Sequence, residues 1–400
     1  MNNKKLIEAG NKALMPVYNR YNLVLKDGEG SYLRDIEGKK YLDFVGGIAV
    51  NSLGYNDIGL VNAIQNQAHK LLHVSNLYWT EELIRTSVAL TEASELDRVF
   101  FCNSGAEAVE AAIKLARIYG KKYKSKKAVE IISMDDSFHG RTYAAITATG
   151  QPKYQKDIGP LVPNFLYANF NDLESLKDQI TDNTCAILIE PVQGEGGIYP
   201  ADQTYLMEVR NLCDEKNIVL IFDEVQCGVG RSGHFFAYQN YGVKPDIVCF
   251  AKGIAGGVPL GGILANEKCG QLFVAGTHGS TYGGNPLAMA AAYEVITRIN
   301  NPEFLQDVRE KGNYLLEQLK RIADKFPKAV GEIRGVGLMC GMEMKISTSD
   351  VIQLAQKKGL LIIGAGKNVI RFVPPLIITY DEIDEGMKIL EESIISTTSS

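Results

Sequence analysis

The chain has 400 residues, a formal charge of −5 and a sequence pI near 5.7, a balance that argues against a protein built to hold nucleic acid. Hydrophobic residues make up 46% and charged residues 22%, ordinary for a globular chain of two or three domains. Seven cysteines, none in C-x-x-C spacing, exclude a disulfide framework or a zinc site as the organising device.

The N-terminal stretch reads as a short helix before Met15-Pro16. It lacks the apolar core of a signal peptide, and no apolar run approaches a bilayer's span, so a cytoplasmic setting is expected. Residues 23–45 alternate apolar and polar types around Asp27-Gly28 and Glu37-Gly38, the pattern of short antiparallel strands with tight turns. Residues 58–72 carry Ile58, Val61, Ile64, Ala68 and Leu71 at helical spacing.

Arg98–Cys102 reads as a strand that runs through Ser104-Gly105-Ala106 into a helix. Free N–H groups at a helix start carry about half a positive charge and hold anions, so this is either a plain capped turn or a phosphate site. Val129–Ile132 is the next strand and leads to Ser137-Phe138-His139-Gly140-Arg141. Phe138 packs a core or stacks on a flat ring; Arg141 makes a surface ion pair or grips a carboxylate in two-pronged fashion. Ala186–Ile189 ends at Glu190-Pro191, followed by Gly194-Glu195-Gly196-Gly197.

The chain is organised around Ile218–Pro259. Val219–Phe222 runs up to Asp223, and Ile247–Phe250 runs up to Ala251-Lys252. Short, fully apolar runs read as buried strands of a parallel sheet, and ligands sit at the carboxyl ends of such strands. Alone, Asp223 is an ordinary turn cap and Lys252 an ordinary solvated lysine. Together they match pyridoxal phosphate chemistry, in which a lysine forms a Schiff base and an acid keeps the pyridine nitrogen protonated. Gly228-Val229-Gly230-Arg231-Ser232-Gly233 matches G-x-G-x-x-G, but it neither follows a strand directly nor opens a clear helix, so a nicotinamide site is rejected. Gly276–Pro286 is a hydroxyl-rich glycine loop, and Leu287–Arg298 is a helix. Beyond it come a long amphipathic helix (301–325), strands within 333–344, a helix (351–358), strands at 361–363 and 369–372, a last helix (383–395) and a tail, Ser396–Ser400, that reads as disordered.

In order, FCNSGAEAVEAAIKLAR, SFHGRT, EPVQGEGG, DEVQCGVGRSG, PDIVCFAKGIAGGVPLGG, HGSTYGGNPLA and NVIRFVPPL resemble the class III pyridoxal-phosphate aminotransferases, from about Tyr18 to Glu391. The acetylornithine branch is the most similar. The resemblance implies a fold type I α/β architecture: an N-terminal segment (1–47), a large cofactor domain (48–287) with a mainly parallel sheet, and a small α+β domain (288–400). It also implies a homodimer with shared active sites, no membrane and no nucleic acid.

Carried over, Lys252 is the Schiff-base lysine and Asp223 the partner of the pyridine nitrogen. Ser104, Gly105, Ala106, Phe138, Glu224, Val225 and Gln226 hold the cofactor, with Thr281 reaching over from the partner subunit. Arg141, Ser280 and Tyr18 contact the donor, Arg371 takes a carboxylate of 2-oxoglutarate, and Glu195 masks Arg371 while the donor is bound. No metal is implied. The implied reaction moves the terminal amine of an acylated ornithine to 2-oxoglutarate; succinylornithine, ornithine and 4-aminobutyrate are alternative donors.

Ala106 stands where the family often has Thr, Cys227 replaces another frequent Thr, and Gly54–Asp57 replaces a His-containing loop. Ile48 stands where the ornithine branch tends to carry Tyr; an aliphatic residue cannot bond ornithine's free amine, which favours an acylated or 4-aminobutyrate-like donor. A catalytically silent binding protein on this fold would have no need of Lys252, Asp223 and both arginines together.

Overall fold

The computed structural model describes residues 3–398. Near the N-terminus, β1 (Leu25–Glu29), β2 (Tyr32–Asp35) and β3 (Lys40–Asp43) form the expected antiparallel meander. The central sheet uses β4 (Arg98–Cys102), β5 (Glu130–Met134), β6 (Phe165–Ala168) and β7 (Thr184–Ile189). A two-residue hairpin, β8 (Val192–Gln193) with β9 (Tyr199–Pro200), follows β7. The sheet is completed by β10 (Val219–Asp223), β11 (Ile247–Phe250) and β12 (Gly261–Ala265), in the order β4-β12-β11-β10-β7-β5-β6.

Every side chain of β7, β10 and β11 is buried, as their unbroken apolar runs require of strands covered on both faces. Only β12 runs against the others, paired antiparallel to both β4 and β11. No apolar run marks this strand in the sequence, since it begins at Gly261-Gly262. Packing gives the reason: a Cβ on Gly262 would stand 2.4 Å from the Phe100 carbonyl oxygen and 2.5 Å from Phe250 Cζ. The glycines are what let this strand enter the sheet. The reading was also silent on the helix Glu81–Ser94, capped by Thr80, and on β6.

C-terminal to the helix Pro302–Lys325 come β13 (Val330–Val336), β14 (Met339–Met344), β15 (Leu360–Leu361), β16 (Ile363–Ala365) and β17 (Val369–Phe372). A second sheet has the order β13-β14-β17-β16, and β15 instead pairs in parallel with β3 of the meander. The helix Pro286–Ile299 buries Ala288, Met289, Ala291, Ala292 and Val295 in the same core as the helix Glu81–Ser94 and the central sheet. One expectation fails. The last helix runs from Tyr380 to Thr398, so Ser396–Thr398 are helical rather than disordered, with the Thr397 hydroxyl donating to the Ser393 carbonyl; Ser399 and Ser400 lie outside the described residues. Hydroxyl bonds to the preceding turn let this polar end extend the helix.

Candidate active site

Strand order places the site. β11, β10, β7 and β5 are neighbours, and at or just past their carboxyl ends stand Lys252, Asp223, Glu190 and the Phe138-His139 pair. The end of β4 adds Ser104. These residues line one cavity of about 380 Å³, together with Val50, Gly105, Ala106, Arg141, Val225 and Gln226, a volume within the usual range of small-molecule sites.

Lys252 follows β11 in a tight turn with φ +48, a strained value for a residue with a side chain, and such strain clusters at functional sites. Its amine makes no hydrogen bond among the described residues. Burial and the nearby Arg371 push its pKa down, against the opposing pull of Glu195, Asp223 and Glu190. The buried Asp223 carboxylate is fixed on both oxygens: Oδ1 accepts from the Val225 N–H at 3.0 Å, and Oδ2 lies 2.7 Å from His139 Nδ1.

His139 is the residue the sequence reading missed. Its side chain is fully buried and its Nε2 has no partner among the described residues. A histidine inside a glycine-flanked motif after a strand is a weak signal on its own; its pairing with Asp223, 84 residues away, exists only in the fold. Glu190 was read as a strand-end acid but given no role. Its carboxyl accepts from the Phe138 N–H at 3.1 Å, and burial pushes its pKa up to about 7.

Ser104 caps the helix Gly105–Tyr123, its hydroxyl accepting from the Glu107 N–H at 3.3 Å; the N–H groups of Gly105 and Ala106, both lining the cavity, have no partner among the described residues. A Cβ on Gly105 would sit 2.7 Å from Val225 Cγ1, which keeps that wall bare. Phe138 stands in edge contact with Tyr154, and the exposed Arg141 guanidinium lies 4.2 Å from the Tyr154 ring centre.

Neither Arg371 nor Glu195 lines this cavity; beyond its Gln226 wall, Arg371 is 2% exposed and donates through Nη1 to Glu195 at 2.5 Å and to the Gln226 side-chain oxygen at 2.9 Å. Burial alone would raise the Glu195 carboxyl; Arg371, with lesser help from Lys252 and Gln226, outweighs it and holds the group below its usual range.

Besides Glu195 and Arg371, four expected residues stand outside the cavity. The buried Glu224 carboxylate turns away from the cavity, accepting from the Ala237 and Tyr238 N–H groups. Ser280 is half-buried, 3.3 Å from Asn103 Nδ2, and Thr281 is exposed; neither lines the cavity of its own chain. Tyr18 is 70% exposed and lines a separate apolar cavity with Leu14, Val45 and Tyr55.

The cavity fits pyridoxal phosphate by its donor set: an amine on one wall, a buried carboxylate fixed on two sides, a helix start for a phosphate and an aromatic ring on the lining. The comparisons agree. The family described as Aminotransferase class-III matches residues 15–394. An acetylornithine aminotransferase from Clostridium acetobutylicum is 48% identical over 95% of this chain and 98% of its own. One from Caldanaerobacter subterraneus is 50% identical over 95% of this chain and 97% of its own. Among solved structures, the ornithine aminotransferase of Toxoplasma gondii superposes with a TM-score of 0.96 at 29% identity, covering 100% of this chain and 96% of that one. The acetylornithine aminotransferase of Elizabethkingia anophelis does so at 0.88 and 31%, covering 99% and 100%. The chain therefore belongs to the class III aminotransferases, enzymes that work with pyridoxal 5′-phosphate.

Proposed function

We propose that this enzyme moves the terminal amine of N2-acetyl-L-ornithine to 2-oxoglutarate, giving N-acetylglutamate semialdehyde and glutamate in arginine biosynthesis. The observation that carries this reading is the Glu195–Arg371 pair beside the Lys252 cavity, joined to it through the lining residue Gln226. A pocket that must receive a cationic ω-amine and then a dicarboxylate needs an arginine whose charge can be covered and uncovered. The names of the relatives supply the acetylated donor. Ile48, on the turn beside the cavity-lining Val50, supports it over free ornithine, because its side chain offers no acceptor for an amine.

When bound, pyridoxal phosphate supplies an aldehyde that captures amines and a ring that draws electrons from the attached carbon. Lys252 Nζ would take the proton from the substrate carbon and deliver it to the cofactor carbon on the far side of the bridging nitrogen, as general base and then acid; its depressed pKa keeps more of the amine neutral for that task. Asp223, braced by His139 and Val225, holds a proton on the ring nitrogen. The N–H groups of Gly105 and Ala106 bind the phosphate. Val225 and Phe138 would flank the ring, and Gln226 would bond its hydroxyl. Arg141 grips the donor's α-carboxylate at the cavity mouth. Glu195 then leaves Arg371, which takes a carboxylate of 2-oxoglutarate.

Ser280 and Thr281 stand outside their own chain's cavity. This supports a homodimer in which each subunit sends this loop to the other's site. Tyr18, which lines a separate cavity in this structure, is proposed only as a donor contact. The parallel pairing of β3 with β15 supports packing of the 1–47 segment on the 288–400 segment; the division at 287/288 from the 48–287 domain is not supported in the same way, because the helix Pro286–Ile299 packs with the helix Glu81–Ser94. A cytoplasmic setting accords with the absence, among the described residues, of any helix long and apolar enough to cross a membrane.

The test is the visible spectrum of the cofactor-loaded enzyme on adding N-acetyl-L-ornithine without acceptor. Bleaching of the band is expected. A band that persists with this donor but bleaches with ornithine or 4-aminobutyrate would transfer the assignment to that donor.

A further inference from the structure

Strand pairing puts two buried arginines in one row. Arg334 of β13 lies opposite Gly341 of β14, and Gly341 lies opposite Arg371 of β17. Residues opposed in register project from the same sheet face. Across that face runs the loop between β8 and β9 that carries Glu195. Its first point of attachment is Glu195 on Arg371, supported by the Gly366 N–H donating to the Glu195 carbonyl at 2.9 Å. Its second is Ile198, which occupies the room left by Gly341: a Cβ there would stand 2.9 Å from Ile198 Cβ. Its third is Arg334, whose Nε donates to the carbonyls of Gly197 and Ile198 at 3.0 and 3.1 Å while the guanidinium lies 3.9 Å from the centre of the Tyr199 ring.

We propose that Arg334 is a positioning residue that seats the Glu195 loop on the small sheet and so sets the Glu195 carboxylate against Arg371. The inference rests on the reading of that pair as the carboxylate site of the acceptor beneath a removable counter-ion. An ordinary ion-pair role does not account for Arg334. Its one acidic partner among the described residues, Glu332, is 62% exposed, and pairs with so wet a carboxylate contribute little. The guanidinium is nevertheless buried, with Nη2 left without a partner among the described residues, and Nε is committed to the loop's main chain. Ile198 is held at φ +59, a conformation a β-branched residue keeps only where its surroundings impose it. With the loop's backbone fastened to the sheet that bears Arg371, Glu195 uncovers and covers the arginine by rotating its side chain, not by moving the loop.

The test uses the cofactor-loaded enzyme, with the two half-reactions followed separately by cofactor absorbance. Arg334→Met keeps the stem and removes the donors; Gly341→Ala lifts Ile198. In both, kcat/KM for the amino donor should fall about tenfold while that for 2-oxoglutarate stays within about twofold, a split of the size that local coupling produces. A freed Glu195 no longer covers Arg371 beneath the donor, whereas the dicarboxylate needs Arg371 bare. Glutarate, which binds without reacting, should bind as tightly as before or more so. In a Glu195→Gln background, Arg334→Met should add no further donor loss, because nothing remains to be positioned. Equal losses for both substrates, or a donor loss that persists in that background, overturn the inference; should Arg334→Met fail to fold, Gly341→Ala decides on the same criteria. An Arg371→Lys enzyme that keeps its acceptor kcat/KM overturns the reading of the pair, and this inference with it.

Discussion

At the Lys252 end the reacting groups stand at the carboxyl ends of neighbouring buried strands, whereas at the Arg371 end a strand of a separate, smaller sheet supplies the arginine and a loop laid across that sheet supplies its counter-ion, Glu195. The first arrangement is stiff. Asp223 is held on both oxygens, and Lys252 sits in the tight turn that follows a strand with every side chain buried. The second is an ion pair whose carboxylate has some access to water. Proton transfer at one carbon calls for groups that do not wander, while alternating between an amine and a dicarboxylate calls for one that does. The difference teaches that chemistry and selectivity have been assigned to different levels of the fold.

Substitutions at the two ends should therefore fail in different ways. Lys252→Ala should give the largest effect, a loss of turnover of about 10⁴-fold or more with unfolding behaviour unchanged, since base, acid and nucleophile vanish together. Near-normal single-turnover rates in that variant would sink the assignment. Arg371→Ala should raise the KM for 2-oxoglutarate about a hundredfold and alter the donor's far less, in line with truncating one partner of a buried charge pair. Matching losses for both substrates would mean that the two arginine roles are misassigned. Glu224→Ala should reduce stability, not selectivity: it leaves the Ala237 and Tyr238 N–H groups buried and unpaired, each at about 1–3 kcal/mol. A denaturation curve matching wild type, with weakened cofactor binding, would return Glu224 to the cofactor site.

What could be read from the sequence follows the same division. Strand ends bearing Asp223, Lys252 and Glu190 were visible because a buried parallel strand is an unbroken apolar run, and the polar residue after it stands out. The small-residue start of the helix at Ser104–Ala106 was visible for a similar local reason. β12 was not, since a strand that enters a sheet through Gly261-Gly262 lacks the composition of a strand. His139 was not, because its meaning is a hydrogen bond to Asp223, and no local pattern encodes a partner 84 residues away. Glu224 was misread for the opposite reason: it sits inside a cofactor motif, yet its carboxylate braces the turn at Ala237. Glu195 and Arg371 were brought together only by the family resemblance, and the row that seats them, Arg334–Gly341–Arg371, is a matter of register between strands.

The smallest of these effects is also the one that reads the two ends with one measurement, because their acids shift in opposite directions. Burial raises the Glu190 carboxyl from 4.5 to about 7, so between those values the native state holds a proton that the unfolded chain has lost. Stability from this group falls as pH rises across that window and is lowest above it. Glu195 is displaced the other way by Arg371; its contribution is complete above the unfolded value of 4.5 and fades as pH falls through the lower native one. Glu190→Gln should therefore become more stable relative to wild type as pH rises from 4.5 to 7, while Glu195→Gln should lose its deficit only on the acid side of 4.5. Urea titrations at several pH values would separate the two. Parallel curves for both variants would mean that the two carboxylates share one environment, and the division between a fixed end and a switching end would not survive.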